Sequence, residues 1–139
     1  MGKNSGFSFE ISSKYVEFWR YNILITCECF DAEGKREEFV SVDDEIAPVG
    51  TNCDCCPKDY PSNRVVKFDT TPCHHLQVYI YVMPHSIPSG CNIEDKAPFD
   101  MDISVRHKDS FTEVLRLEVN SWSGGAFELS VNQNGVTVE

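Results

Sequence analysis

Residues 99–138 read FDMDISVRHKDSFTEVLRLEVNSWSGGAFELSVNQNGVTV, and their alternation decides the fold. Phe99, Met101, Ile103 and Val105 face one way, while Asp100, Asp102, Ser104 and Arg106 face the other. A strand satisfies that period of two and a helix does not. The turn His107-Lys108-Asp109-Ser110 leads into Leu115, Leu117 and Val119, which alternate with Arg116 and Glu118. Ser123-Gly124-Gly125 turns the chain again, into Phe127, Leu129 and Val131. Asn134-Gly135 then supplies the pair of residues tolerant of positive φ that a tight hairpin requires, with Val136 and Val138 beyond it.

The same pattern runs back toward the N-terminus. Leu76, Val78, Ile80 and Val82 alternate with Gln77, Tyr79, Tyr81 and Met83, and Val65–Asp69 reads as a short strand. Residues 15–30 form a long extended stretch, with Trp19, Tyr21, Ile23, Ile25, Cys27 and Cys29 on one face and Arg20, Asn22, Thr26 and Glu28 on the other. A helix over 14–24 would also gather Val16, Phe18, Trp19 and Ile23, but this run of β-branched and aromatic residues favours the strand. Asp31-Ala32-Glu33-Gly34 turns it into Phe39–Val42, and Phe7, Phe9 and Ile11 begin the series. About eight strands joined by turns predict an all-β antiparallel sandwich over residues 1–139, jelly-roll or immunoglobulin/C2-like. Its predicted core comprises Phe9, Ile11, Ile23, Ile25, Leu76, Val78, Ile80, Val82, Met101, Ile103, Val105, Leu115, Leu117, Phe127 and Leu129.

Two segments break the rhythm. Residues 43–63 carry Pro48, Gly50, Pro57 and Pro61, and residues 84–98 carry Pro84, Pro88, Gly90 and Pro98. Connections this long on a regular scaffold are where recognition usually lies. The expectation is therefore a non-enzymatic module that engages a protein partner through these loops. With Lys+Arg 12 against Asp+Glu 22 the net charge is −10, and no basic stripe exists to displace counterions from phosphates or to sit on acidic lipid. Nucleic acid and membrane are accordingly not expected partners. The N-terminus lacks a continuous apolar signal region, which predicts a cytoplasmic protein if Met1 is the native start and an exported one if a leader was removed.

The most distinctive chemistry is a set of thiols and imidazoles. Asn52-Cys53-Asp54-Cys55-Cys56-Pro57 is followed by Cys73-His74-His75. Thiolate and imidazole are the ligands that tetrahedral zinc takes, so Cys53, Cys55, Cys56, Cys73, His74 and His75 form the alternative reading, a structural zinc or redox site that pins the loop to the sheet. Cys91 is a further candidate. With seven cysteines, one or more disulfides and simple free thiols stand beside zinc. Cys27 and Cys29, two apart on one strand face, are expected to pack as core thiols. Adjacent Cys73 and His74 point to opposite faces of an extended chain, and no nucleophile elbow or phosphate-cradling glycine loop is present, so no catalytic set is expected.

Two smaller features complete the reading. Asp100 and Asp102, with Asp109 nearby, share the oxygen chemistry of calcium sites, and calcium-dependent C2 domains resemble this chain in architecture alone. Both Asp100 and Asp102 alternate with apolar residues inside a strand, which marks a solvated outer face. Tyr79 and Tyr81 share the face opposite the aliphatic side, and Trp122 lies in a turn, as in sandwich modules that stack sugar rings. A carbohydrate module is the third reading. The simpler expectation packs both tyrosines beneath a long loop.

Overall fold

The alternation resolves into nine strands in two antiparallel sheets. The computed structural model describes residues 6–15, 18–46, 48, 64–85, 98–107, 111–120, 124–132 and 135–138. In chain order the strands are β1 (Phe7–Ser12), β2 (Tyr21–Phe30), β3 (Arg36–Asp44), β4 (Val66–Asp69), β5 (His75–Pro84), β6 (Phe99–His107), β7 (Phe111–Val119), β8 (Gly125–Asn132) and β9 (Gly135–Val138). One sheet runs β4-β1-β6-β7 and the other β3-β2-β5-β8-β9. The predicted sandwich is thus present, with nine strands where about eight were expected, and the strand expected at Val136 and Val138 pairs with β8.

Between the sheets lies one cluster of alternate residues. Phe7, Phe9 and Ile11 of β1 meet Ile23 and Ile25 of β2, Leu76, Val78, Ile80 and Val82 of β5, and Met101, Ile103 and Val105 of β6. Fully burying each such side chain contributes roughly 1.5–3 kcal/mol, and this sum drives the two sheets together. Leu115, Leu117 and Phe127, predicted as core, are partly buried against the cluster instead. The sequence pattern did not single out Phe68 and Phe99 for the core. Phe68 stacks on Phe9 with ring centroids 4.4 Å apart, and Phe99 stacks on Tyr15 at 4.4 Å.

The extended stretch predicted over 15–30 is interrupted. Phe18–Arg20 form a single 3₁₀ turn, and β2 starts only at Tyr21. Trp19 therefore leaves the inward row expected for it, and Arg20 and Asn22, expected on the solvated face, are buried. On the inward face the expectation holds from Tyr21 to Cys29, with Tyr21, Ile23, Ile25, Cys27 and Cys29 all fully buried.

Register gives the sandwich two unlike ends. Tyr21 pairs with Pro84, Ile23 with Asp44, Val82 with Gly125, and Phe99 with Val119. The connections 13–20, 45–65, 85–98 and 120–124 thus all leave from one end. At the opposite end the strands are joined by 31–35, 70–74, 108–110 and 133–134. Every connection longer than a turn belongs to the first end, called here the long-connection end, and the other is the short-turn end.

Candidate functional site

The stems of both long connections converge on Phe18–Asn22. Where the chain leaves β3, Ile46 N donates to Asn22 Oδ1 at 2.7 Å. Just before β4, the Arg64 guanidinium donates from Nη1 to the carbonyls of Phe18 and Tyr21, at 3.2 and 2.8 Å. Its Nη2 reaches the Asp44 carbonyl at 3.1 Å and Asp44 Oδ1 at 3.2 Å, and its charge sits 4.9 Å over the Phe18 ring. Just after β5, His85 N donates to Arg20 O at 2.8 Å, and His85 Nε2 lies 2.7 Å from Trp19 O. A carbonyl only accepts, so Nε2 carries the proton. Arg20 in turn lies 4.4 Å over the Trp19 ring.

Arg20, Asn22, Arg64 and His85 are all buried, at 2%, 3%, 6% and 1% exposure. Buried polar groups must be matched by partners, and here Arg64 and His85 meet backbone carbonyls of the 3₁₀ turn and the strand ends while Asn22 meets the Ile46 N–H. One frame therefore fixes three points: the exit from β3, the entry to β4 and the exit from β5. Sequence reasoning set the long segments 43–63 and 84–98 between strands, where most of their residues lie outside the described ones, and missed this frame. An arginine at the close of a proline-rich stretch and a histidine just after a strand were its only visible signals.

Beside the same end lies a recess of about 270 Å³ lined by Lys14, Tyr15, Phe99, Asp100, Asp102 and Arg116. Asp102 Oδ1 accepts from Arg116 Nε at 3.0 Å, which holds the guanidinium above its usual range, and Asp100 is exposed. The solvated outer face expected for Asp100 is present, and Asp102 is committed to an arginine.

The proposed zinc ligands are described only in part. Cys53, Cys55 and Cys56, like Cys91, Asp109 and Trp122, lie outside the described residues. Cys73 is buried, whereas His74 is exposed and His75 is half-buried, stacked on Phe30 with ring centroids 5.1 Å apart. His74 Nδ1 and His75 Nδ1 lie 3.0 Å apart. Cys73 and His74 thus face opposite ways, as an extended chain requires, and Cys73 points toward Cys27 and Cys29 rather than toward the two imidazoles. Among the described residues, no group of three or more His, Cys, Asp or Glu side chains is placed to hold a metal ion.

Cys27, Cys29 and Cys73 make a buried thiol cluster at the short-turn end. Burial raises the Cys27 thiol, with Cys29 next to it adding to the shift, and burial together with Cys29 pushes Cys73 up to about 12. Glu38 borders the cluster. Its carboxylate accepts from Thr71 N at 3.0 Å and Thr71 Oγ1 at 2.8 Å, and these bonds hold it below the usual carboxylate range.

Tyr81 stands on the outer face of β5 at 39% exposure, between Leu24 and Ala126 on the flanking strands, and Tyr79 beside it is half-buried. The outer face of a central strand carries them. Compared with protein-family models, with curated proteins and with solved structures, the chain matches none.

Proposed function

We propose that this chain is a non-enzymatic module that binds a protein partner with its long-connection end. The observation that carries the reading is the convergence of the stems of 45–65 and 85–98 on Phe18–Asn22 through buried Arg64, Asn22 and His85. Stems fixed in one frame lower the conformational entropy that two long segments would otherwise lose on binding. The connecting sequence is acidic, with Glu45, Asp54, Asp59, Glu94 and Asp95 against Lys58, Lys96 and the buried Arg64, so the complementary partner surface is basic.

The test keeps the frame and removes what it holds. Residues 47–63 are replaced by a short Gly/Ser linker, leaving Ile46 and Arg64 in place, and partner capture is compared with that of the intact chain. The expected result is loss of the captured protein with unchanged far-UV circular dichroism, and salt-sensitive capture by the intact chain. Capture that survives the excision overturns the reading. A second reading rests on Tyr81, whose exposed ring among Leu24, Tyr79 and Ala126 is a surface on which a sugar ring stacks. It predicts quenching of tyrosine fluorescence by oligosaccharides that Tyr81→Ala abolishes and the excision of 47–63 leaves intact.

A further inference from the structure

The short-turn end brings together cysteines from two distant segments. Cys27 and Cys29 face inward from β2 and are fully buried, while Cys73 precedes β5 and is 6% exposed. Cys29 neighbours both Cys27 and Cys73, all three are free and buried, and Cys29 Sγ lies 3.7 Å from Glu38 Oε1. The backbone around Cys73 is fixed on both sides: Thr71 donates to Glu38, and His74 N donates to Phe30 O at 2.9 Å.

We propose that Cys29 and Cys73 are a disulfide pair, closed by exchange with a small disulfide such as oxidised glutathione and bridging β2 to the connection between β4 and β5. Geometry selects this pair over Cys27–Cys29. Two residues on one face of one strand have Cα atoms about 6.8 Å apart and parallel Cβ directions, at the limit that a disulfide spans. Cys73 comes from a separate segment, the lead into β5, which His74 N on Phe30 O holds beside the end of β2.

The exchange balances in two steps. The Cys73 thiolate attacks one sulfur of glutathione disulfide, the S–S bond breaks, and one glutathione thiolate leaves. The Cys29 thiolate then attacks the Cys73 sulfur of the mixed disulfide and expels the second glutathione thiolate. Two protein thiols lose two protons and two electrons, and one glutathione disulfide becomes two glutathiones. Burial keeps the thiols protonated in the folded chain, so exchange belongs to the period before the sandwich closes. Once formed, the bridge is shielded from reductant by that same burial. Cys27 stays reduced beside it. This inference does not depend on the partner reading.

The full chain, reduced and unfolded, is refolded at about pH 8 in a mixture of reduced and oxidised glutathione, where free thiols exchange readily. Free thiols are then alkylated and the chain is digested without reductant, with fragmentation used to tell Cys27 from Cys29. The expected product links Cys29 to Cys73 and leaves Cys27 alkylated. Its Tm lies several degrees above that of the same protein refolded in dithiothreitol, a gain that shrinks in Cys29→Ala and Cys73→Ala but not in Cys27→Ala. Alkylation of both Cys29 and Cys73 overturns the proposal, as does linkage of either to any other cysteine. Should the alanine variants fail to fold, the map of the intact chain decides alone.

Discussion

The two ends of the sandwich are ordered by different means. At the short-turn end the β2–β3 turn closes on itself: Asp31 Oδ1 accepts from Glu33 N at 2.9 Å and Lys35 N at 2.8 Å, and Gly34 N donates to Asp31 O at 3.0 Å. Every partner in that turn lies within a few residues, unlike the 70–74 connection at the same end, which is held by Phe7, Phe30 and Glu38. At the long-connection end, Arg64 reaches back to Phe18 and Tyr21, and His85 reaches back to Trp19. Local bonds form as soon as the turn does, whereas the frame at the other end exists only in the assembled fold. Damage to a turn therefore stays local, and damage to the frame frees several stems together.

Removing Arg64 gives the largest test of that contrast. Arg64→Leu leaves the Phe18 and Tyr21 carbonyls without their donor in a buried site, at an expected cost of about 3–5 kcal/mol in urea unfolding. Arg64→Lys recovers part of it, because an ammonium cannot reproduce the guanidinium fork. A loss below about 1 kcal/mol for the leucine variant would show that the frame is not structural.

Two glycines sharpen the comparison at the level of backbone. Gly124, at φ 75°, sits at the long-connection end, where an added Cβ would run into the Val82 carbonyl. Gly34, at φ 85°, sits in the β2–β3 turn with open space around it. Gly124→Ala is expected to cost about 3 kcal/mol, combining the left-handed penalty with a steric clash, and Gly34→Ala only about 1 kcal/mol. Equal losses in thermal unfolding would remove the distinction.

Alkaline unfolding reads the short-turn end in the reduced protein. The unfolded chain gives up the Cys73 proton near the ordinary thiol value of 9.0, while the folded chain keeps it to about 12. Stability therefore falls as pH rises through that window, by up to about 1.4 kcal/mol per pH unit for this thiol. Cys73→Ala should flatten this limb, whereas Arg64→Leu should leave its slope unchanged. The smallest effect is expected at Tyr81→Ala, within about 0.5 kcal/mol of the parent, because the ring stands on an exposed face.

Strands were the legible part of the sequence, since alternation is written residue by residue. Leu76 to Val82 and Met101 to Val105 show it, and each of their apolar members is buried as read. The 3₁₀ turn at Phe18–Arg20 was not legible, because its aromatic residues also suit a strand and its cause lies in Arg64 and His85, far along the chain. The meeting of Cys73 with Cys29 was hidden for the same reason. Sequence spacing grouped Cys73 with its neighbours His74 and His75, while the chain ahead of β5, held by Thr71 on Glu38 and His74 N on Phe30 O, brings it to Cys29. Facing can be read locally, but convergence depends on strand order.

That strand order also sets a schedule during synthesis. Phe7 pairs with His107 and Ile11 with Ile103, so β1 waits for β6 to be made. At roughly 5–20 residues per second on the ribosome, the interval is on the order of 5–20 s. The β2–β3 hairpin is complete well before then, and only the four-residue β4 offers β1 an earlier neighbour. A nascent chain stalled short of residue 99 leaves Phe7, Phe9 and Ile11 uncovered on one edge, which makes the first strand the segment most in need of a chaperone.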